Sequence, residues 1–530
     1  MIVNDISENL IVKDWRRIDF SFGLIYPNVY TLGMSSYSIR LLYYLINSYE
    51  NVACERFFLP DGRITFPASK DINPDLRSLE NKIMPIEFDI LGFSLHFENN
   101  FKNLCWILDK AKIPLTFEQR QIIRNEEQVR YPIIIGGGPV ITSNPISLGK
   151  MFDLLFIGDA ENNLDLFFKL FRNYTLEKVS FYELLDQAQY IEGIYVPSLN
   201  NKVKRAVLKS LDDSPVPIYQ LATKPSKKEN IFGDNFLIET SRGCPFQCKF
   251  CISSFHNFPF RNRSFENIVK VIDKGINSSE FETISLIGSC VSSHPKFIEI
   301  CEYIIEKGKR LTIPSIRIDH ITRELIQVLE SGGIKTITIA PEAGSDHLRY
   351  QLGKLISNDK ILSVLTQIKN SNIKNVKFYF LIGLPDETEE DINKIIDLLK
   401  DVSELGFNPR SLRVSINPFI PKLNTPFEKE VLFYTEQELN SLVLKFQYIE
   451  KKLKPISSIK LKKKNYKTIV REARLQTMIS LGNQELSNLL ISYYQNGANL
   501  SALKKAEKDL QFQASDYLLK VRDGYSPWII

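Results

Sequence analysis

The residues whose types and spacing say most about chemistry lie at 239–251, in the run Glu-Thr-Ser-Arg-Gly-Cys-Pro-Phe-Gln-Cys-Lys-Phe-Cys. Cys244, Cys248 and Cys251 fall within eight residues, directly behind an apolar run at 235–238 that reads as a strand end. Three thiolates on one loop form a claw for a soft metal group rather than a packing feature. They suit three corners of a [4Fe-4S] cluster whose fourth iron stays open to a small molecule. A four-ligand cluster or zinc site needs one more ligand. The near candidate is His256, and Cys290 lies far along the chain, so neither completes a paired C-x2-C spacing.

The pattern Cys244-x3-Cys248-x-Phe250-Cys251 resembles the signature of radical S-adenosylmethionine (SAM) enzymes. The resemblance implies a [4Fe-4S] cluster that binds the amino and carboxylate groups of SAM. It also implies one-electron cleavage to methionine and a 5′-deoxyadenosyl radical, and hydrogen abstraction from an unactivated C–H bond. No catalytic side chain beyond the cluster and the SAM site is implied. The electron would come from a low-potential donor such as ferredoxin or flavodoxin.

Such a claw needs a scaffold, and the block 231–428 supplies alternating strands and helices. Strand patterns at 283–287, 312–318, 336–340, 376–382 and 412–416 follow the strand before the cysteines. Helical patterns occupy 264–274, 295–307, 323–331, 359–369 and 389–405. Six strand–helix units predict a partial TIM barrel, the radical SAM core, with ligands at the carboxyl ends of its strands. On the resemblance, Gly288 and Ser289 form a turn against the SAM amino group. Arg317 pairs with the SAM carboxylate and Asp319 holds a ribose hydroxyl, a period of two placing both on one face of a strand. A structural Arg–Asp pair at the rim is the other reading of those two. Glu342 faces SAM polar groups, Gly383 and Leu384 form the adenine-side turn with Phe250 beside it, and 417–427 closes the barrel. Cys290, just past a strand end, reads as a thiol near the reaction or as a small buried residue.

The block 1–173 carries strand patterns at 20–26, 52–58, 89–96, 131–135 and 153–157, with helical patterns at 36–47 and 100–111. It is expected to be an α/β Rossmann-like, doubly wound parallel sheet. At its strand ends would gather Gly33-Met34, Gly136-Gly137-Gly138-Pro139 and Gly158-Asp159, where a ligand binds such sheets. The triple glycine serves either close approach to a ligand or a tight turn. The block resembles the N-terminal cobalamin-binding-like domain of many radical SAM proteins. Its Asp-x-His-x-x-Gly signature is absent, no histidine preceding His96, so bound cobalamin stands beside the alternative of a domain that shapes the substrate cavity. Residues 174–230 bridge the blocks, with a polar linker at 223–230. The last block, 429–530, is expected to be helical at 435–452, 468–480, 483–495 and 501–508. Its basic stretch 460–467 is either a solvated face or a contact for phosphates of lipid headgroups or nucleic acid.

At 530 residues, 44% hydrophobic and 24% charged, the chain has enough core for two or three domains. Seven cysteines, four of them scattered, do not form a disulfide framework and point to a reducing cytoplasm. The start lacks a basic segment followed by an apolar one. No uncharged apolar run reaches the roughly 18 residues of a membrane span, so membrane association would be peripheral. A net charge of +5 permits anionic partners without requiring them. The resembling group methylates, methylthiolates or cyclises carbons in lipids, tetrapyrroles and RNA. Composition rich in Ile, Lys, Asn and Tyr, without a five-strand RNA-binding barrel, makes the chain similar to archaeal members, and tetraether lipid ring synthases are the leading expectation. A methyl- or methylthiotransferase acting on RNA or a small molecule is the alternative. A redox-sensing iron–sulfur protein that leaves SAM intact is a third reading.

Overall fold

A computed structural model of the chain describes residues 3–5, 10–62, 64–72, 75–127, 129–218, 235–430, 435–462 and 464–528. The linker expected at 223–230 lies outside the described residues. The chain divides into two compact units. One is built from the described residues of Met1–Lys209, Asp213–Asp234 and Met478–Ile530, the other from Ser210–Asp212 and Asn235–Thr477.

In the main sheet of the first unit, six strands follow one another: β1 (Phe20–Val29), β2 (Val52–Leu59), β3 (Ile90–Ser94), β4 (Ile133–Gly137), β5 (Leu154–Phe156) and β6 (Ile194–Tyr195). Their order is β2-β1-β3-β4-β5-β6, the first five parallel and β6 antiparallel to β5. This is the doubly wound order whose direction reverses between β1 and β3, where such sheets open a crevice at the strand ends. The strands read as continuous apolar runs because helices cover both faces. The ring of Phe22 on β1 lies where a Cβ on Gly92 would be 2.4 Å from it, so glycine admits the aromatic against β3. Helix Phe101–Lys110 buries Leu104, Cys105, Trp106, Ile107 and Leu108 completely. Each large apolar side chain so buried contributes about 1.5–3 kcal/mol. The expected bridge 174–230 supplies helix Phe181–Ala188 and β6, because Ile194 and Tyr195 are apolar enough to pair on the sheet edge beside β5.

The last residues pack on this first unit. Asn144 Nδ2 donates to the carbonyls of Ile479 at 3.1 Å and Gly482 at 2.8 Å, and Ser487 Oγ to Ser147 O at 2.7 Å. Tyr494 OH donates to Asp109 Oδ2 at 2.7 Å. The helical block expected at 429–530 is therefore shared between the units, helices Gln484–Gln495, Leu500–Asp509 and Ala514–Arg522 belonging to the first.

The second unit contains β7 (Phe236–Glu239), β8 (Thr283–Ile287), β9 (Arg310–Thr312), β10 (Thr336–Glu342), β11 (Asn375–Ile382), β12 (Leu412–Pro418) and β13 (Ile459–Leu461). All pair parallel, as one sheet of β7 to β9 and another of β10 to β13 in chain order. Ile316 N donates to Thr338 O at 3.0 Å between them, completing the partial-barrel order. The strand expected at 312–318 is shifted. Pro314 has no N–H to give a ladder, so β9 ends at Thr312 and Arg317 instead leads into the 3-10 turn Ile318–His320. On β11, Val376, Phe378, Phe380 and Ile382 are buried in strict alternation. Helix Phe265–Ser278 starts where Ser264 accepts from Asn267 N, and its Gly275 lets it settle on Phe236, whose ring a Cβ would meet at 2.6 Å. Part of the basic stretch 460–467 forms the added strand β13, and Lys460, Lys462 and Lys467 are exposed, as a solvated face would have them. Lys464 Nζ turns back to Ile416 O at 3.2 Å and Asn417 Oδ1 at 3.0 Å, at the carboxyl end of β12.

Candidate active site

The cysteine loop is closed at its base by a two-residue antiparallel ladder, Ser241–Arg242 against Arg261–Asn262. Gly243 turns the chain out at φ +81°, and a Cβ there would lie 2.5 Å from Asn257 O. Buried Arg263 donates through Nε to Glu239 O at 3.0 Å and through Nη1 to Asn267 Oδ1 at 3.1 Å. Glu239 is itself held by the fork of Arg242, at 2.9 and 2.8 Å. Further out, Lys249 N donates to Leu352 O at 3.0 Å and Phe427 N to Lys249 O at 3.3 Å. His256, the nearest candidate for a fourth ligand, is buried with Nε2 at 2.7 Å from Leu423 O. It ties the loop to the segment that closes the barrel.

Cys244, Cys248 and Cys251 are free thiols, Cys248 buried and the other two half-buried. Burial pushes the Cys248 thiol up, against the pull of the Lys354 and Arg317 charges. Among the described residues no three His, Cys, Asp or Glu side chains converge on one point, as a single ion requires. A cube makes no such demand, because each thiolate takes a different iron. Both Cys244 and Cys248 lie within electrostatic reach of Cys251, with two cations beside Cys248, and this donor set fits a cluster. Cys290 arrives from the turn after β8. Its Sγ lies 3.1 Å from Ser293 Oγ and 3.8 Å from Ser292 Oγ. The neighbouring Cys244 thiol draws Cys290 down to about 6, while Cys290 and burial push the Cys244 thiol up.

Around the claw stand the residues expected at SAM. The Arg317 guanidinium lies over the Phe246 ring, 3.5 Å from its centroid. Its fork is taken by Asp319, Nε–Oδ1 at 3.0 Å and Nη2–Oδ2 at 2.9 Å, an ion pair formed across a turn rather than along one face of a strand. Glu342 ends β10 at φ +71°, a conformation that strains any residue but glycine. Lys354 Nζ meets its carboxylate at 3.1 Å and also donates to Ala340 O. Gly288 packs on the strand that leads into the claw, a Cβ there falling 2.5 Å from Ser241 Oγ, whereas Ser289 is exposed. Gly383 turns at φ +75°, and its N–H donates to Glu387 Oε2 at 3.0 Å. Glu387 is buried, which pushes its carboxyl up, and Lys445 meets it at 2.6 Å. Phe250 packs against an apolar cluster of Leu384, Ala343, Leu348, Leu352 and Phe419. Lys354, Glu387 and Lys445 had no signal of their own in the sequence: the pairs are 12 and 58 residues apart, spacings that no helix or strand period singles out.

In the first unit, His96 follows β3 at the point where the sheet order reverses. Its Nε2 lies 3.0 Å from Ser38 Oγ and 3.0 Å from Ser94 Oγ, and its ring is edge-on to Tyr26. Burial pushes the imidazole down to about 4, so it is neutral at neutral pH. The expected glycines divide. Cβ atoms on Gly136 and Gly138 would lie 2.6 Å from Leu155 Cδ2 and 2.7 Å from Leu95 O, so the chain's own packing accounts for both. At Gly137 the nearest atom would be 3.8 Å away, which leaves that position open. Pro139 begins the short helix Pro139–Ser143. The sheet order, with an open glycine and a neutral histidine after its strands, fits a cofactor of the cobalamin kind in its topology.

Two family models match in succession. The N-terminal region of radical SAM proteins matches residues 38–197 and the radical SAM superfamily core matches residues 238–399. The chain belongs to the radical SAM superfamily. This radical SAM chain is 29% identical over 485 residues to an uncharacterized protein of Methanocaldococcus jannaschii, covering 91% of this chain and 93% of that one. It is 27% identical over 173 residues to a tRNA-2-methylthio-N(6)-dimethylallyladenosine synthase of Staphylococcus epidermidis, 30% of this chain and 33% of that enzyme. In fold it is similar to the radical SAM methyltransferase TsrM of Kitasatospora setae, solved with cobalamin and a [4Fe-4S] cluster. The TM-score is 0.50 at 14% identity, over 78% of this chain and 77% of that one. Among the described residues no helix is long and apolar enough to cross a membrane.

Proposed function

We propose that this radical SAM enzyme transfers a one-carbon group, as a cobalamin-dependent methyltransferase acting on an unactivated carbon. The observation that carries the reading is the pairing of a cysteine-claw barrel with a doubly wound sheet open at its switch point, an architecture similar to that of TsrM over most of both chains. When bound, the cluster and SAM supply reductive bond cleavage and cobalamin supplies a methyl carrier. The chain's own residues bind and orient. Cys244, Cys248 and Cys251 hold the claw, while the Arg317–Asp319 and Glu342–Lys354 pairs offer both signs of charge to the polar end of SAM. Phe250 and Leu384 give an apolar wall suited to its base, on a turn that Glu387 and Lys445 brace. A donor of the ferredoxin or flavodoxin class would deliver the electron. Methylthio transfer is the second reading, favoured by the sequence likeness to the tRNA methylthiolating enzyme. Against it, the described residues after 428 contribute one strand, β13, to a parallel sheet and no five-strand barrel for RNA. Ring closure in tetraether lipids, the leading expectation from composition, gains no support from these relatives.

The test is anaerobic reconstitution with iron, sulfide and cobalamin, then dithionite and SAM. Wild type is expected to retain cobalamin absorbance through gel filtration and to release 5′-deoxyadenosine, and Cys248→Ala to release less than a hundredth as much. Equal release by the variant would remove the enzyme reading, and no retained cobalamin would remove the methyl-transfer reading. Mass spectrometry of RNA, lipids and small molecules from a deletion strain fed methyl-labelled methionine then identifies the acceptor.

A further inference from the structure

The face of β11 to β13 turned away from the helices carries charge that nothing in the chain answers. Val414, Ile416 and Leu461 line a narrow cleft with Phe446 of helix Glu436–Leu453, so that side of the sheet is the helix side. Residues one place along point the other way, to the inside of the partial barrel. There the parallel register sets Lys377 beside Arg413 and Arg413 beside Lys460, one cation on each of three neighbouring strands. Lys377 is half-buried, and Arg413 and Lys460 are exposed. From β10 to β13 the strands hold a single acid, Glu342, and Lys354 matches it at 3.1 Å. Among the described residues no carboxylate pairs with the three cations. Like charges side by side on adjacent strands repel, a cost that a bound anion offsets.

Strands about 4.8 Å apart spread the row over about 10 Å, wider than one phosphate and suited to successive phosphates of a chain. Two places further along β11, Tyr379 shares this face, and Lys377 Nζ stands 4.7 Å from its ring centroid. Cations beside an aromatic ring are how single-strand sites hold backbone and base together. The turn at Gly383 lies about 20 Å further along β11 than Lys377, at about 3.3 Å per residue. Next to it stands Leu384, in the apolar cluster against which Phe250 of the claw loop packs. A single nucleotide anchored on the row falls short of that end, whereas a short strand covers the distance. A flat bilayer cannot enter the concave inner face. We propose that the inner face of β11 to β13 is a docking surface for single-stranded RNA, with phosphates on Lys377, Arg413 and Lys460 and a base beside Tyr379. RNA is thereby the acceptor of the one-carbon transfer proposed above, so the surface rests on that reading for its role but not for its binding.

The test follows binding of a fluorescein-labelled oligouridylate of about 12 nucleotides to the reconstituted full chain by anisotropy, from about 50 to about 200 mM salt. Far-UV circular dichroism of each variant is recorded first. Lys377→Gln/Arg413→Gln/Lys460→Gln is expected to bind at least tenfold more weakly than wild type. Its logarithmic salt slope should be shallower by about 2, for three phosphate contacts at about 0.7 each. Lys377→Arg/Lys460→Arg, which keeps the charges, should stay within about twofold of wild type. So should Lys178→Gln/Lys504→Gln/Lys505→Gln, which removes three exposed lysines from the first unit. Equal loss in both triple variants, or none in the first, overturns the proposal. It is also overturned if uridine monophosphate at the same phosphate concentration displaces the oligonucleotide, which would make the row a site for one phosphate. A row variant that loses binding only to phosphatidylglycerol vesicles would mark a membrane face and overturn it too. Should the triple variant fail to fold, Lys460→Gln on the edge strand decides: about threefold weaker binding supports the surface and unchanged binding overturns it. Release of 5′-deoxyadenosine is measured on the same samples. Wild type that cleaves SAM but does not bind the oligonucleotide overturns this proposal alone. A protein that cleaves no SAM but loses RNA binding in the row variant supports the surface while the enzyme reading falls.

Discussion

A histidine packed against two hydroxyls and an aromatic edge gives up its charge to burial. The folded His96 holds its proton only below about 4, against about 6.5 in an unfolded chain. Between those values the unfolded state binds the extra proton, so stability is complete above about 6.5 and falls as the pH drops toward about 4. The loss is at most about 1.4 kcal/mol per pH unit from this one group. Urea midpoints of wild type should therefore fall more steeply between pH 7 and pH 5 than those of His96→Gln. Parallel slopes would show that His96 is not the buried neutral group described here. At this scale the claw was readable in advance because its three cysteines share one loop. The partners of Glu342 and Glu387 were not, since Lys354 and Lys445 reach them only through the fold.

Among the elements, the cysteine loop depends on a closed base. An alanine at Gly243 would sit in the left-handed region, costing about 1–2 kcal/mol, and would also press on Asn257 O. Gly308 offers the control: its φ of +72° is equally left-handed, but a Cβ there meets nothing within 4 Å. Gly243→Ala is expected to take up less than half the iron of wild type on reconstitution, and Gly308→Ala the full amount. Equal uptake by both would show that the claw forms without the two-residue ladder. Alternation of strands and helices pointed to six of the seven parallel strands described in the second unit, because a buried strand needs its apolar residues locally. It misplaced the third, where the apolar run continues through Pro314 but the ladder cannot. It also passed over β13, whose lysines hide a strand that pairs only because β12 lies beside it.

For the whole molecule, the return of residues 478–528 to the first unit has a consequence for stability. Ending the chain after Thr477 would expose the face that Leu486, Leu489 and Leu490 cover and leave Asn144 and Asp109 without their bonds to the C-terminal segment. Limited proteolysis followed by mass spectrometry should then cut the first unit at least tenfold faster than in the full chain, while β7 to β13 stay protected. Unchanged protection of the first unit would mean that these helices add nothing to it. The sequence by itself determined the reaction family and the two kinds of sheet, because a metal claw and a strand period are local patterns readable without the path of the chain. Only the tertiary structure decided that Lys354 answers the strained Glu342, that His256 braces the loop, and that the last three helices belong to the first unit. Each of these joins residues whose nearness depends on how distant segments pack, and no local periodicity records that.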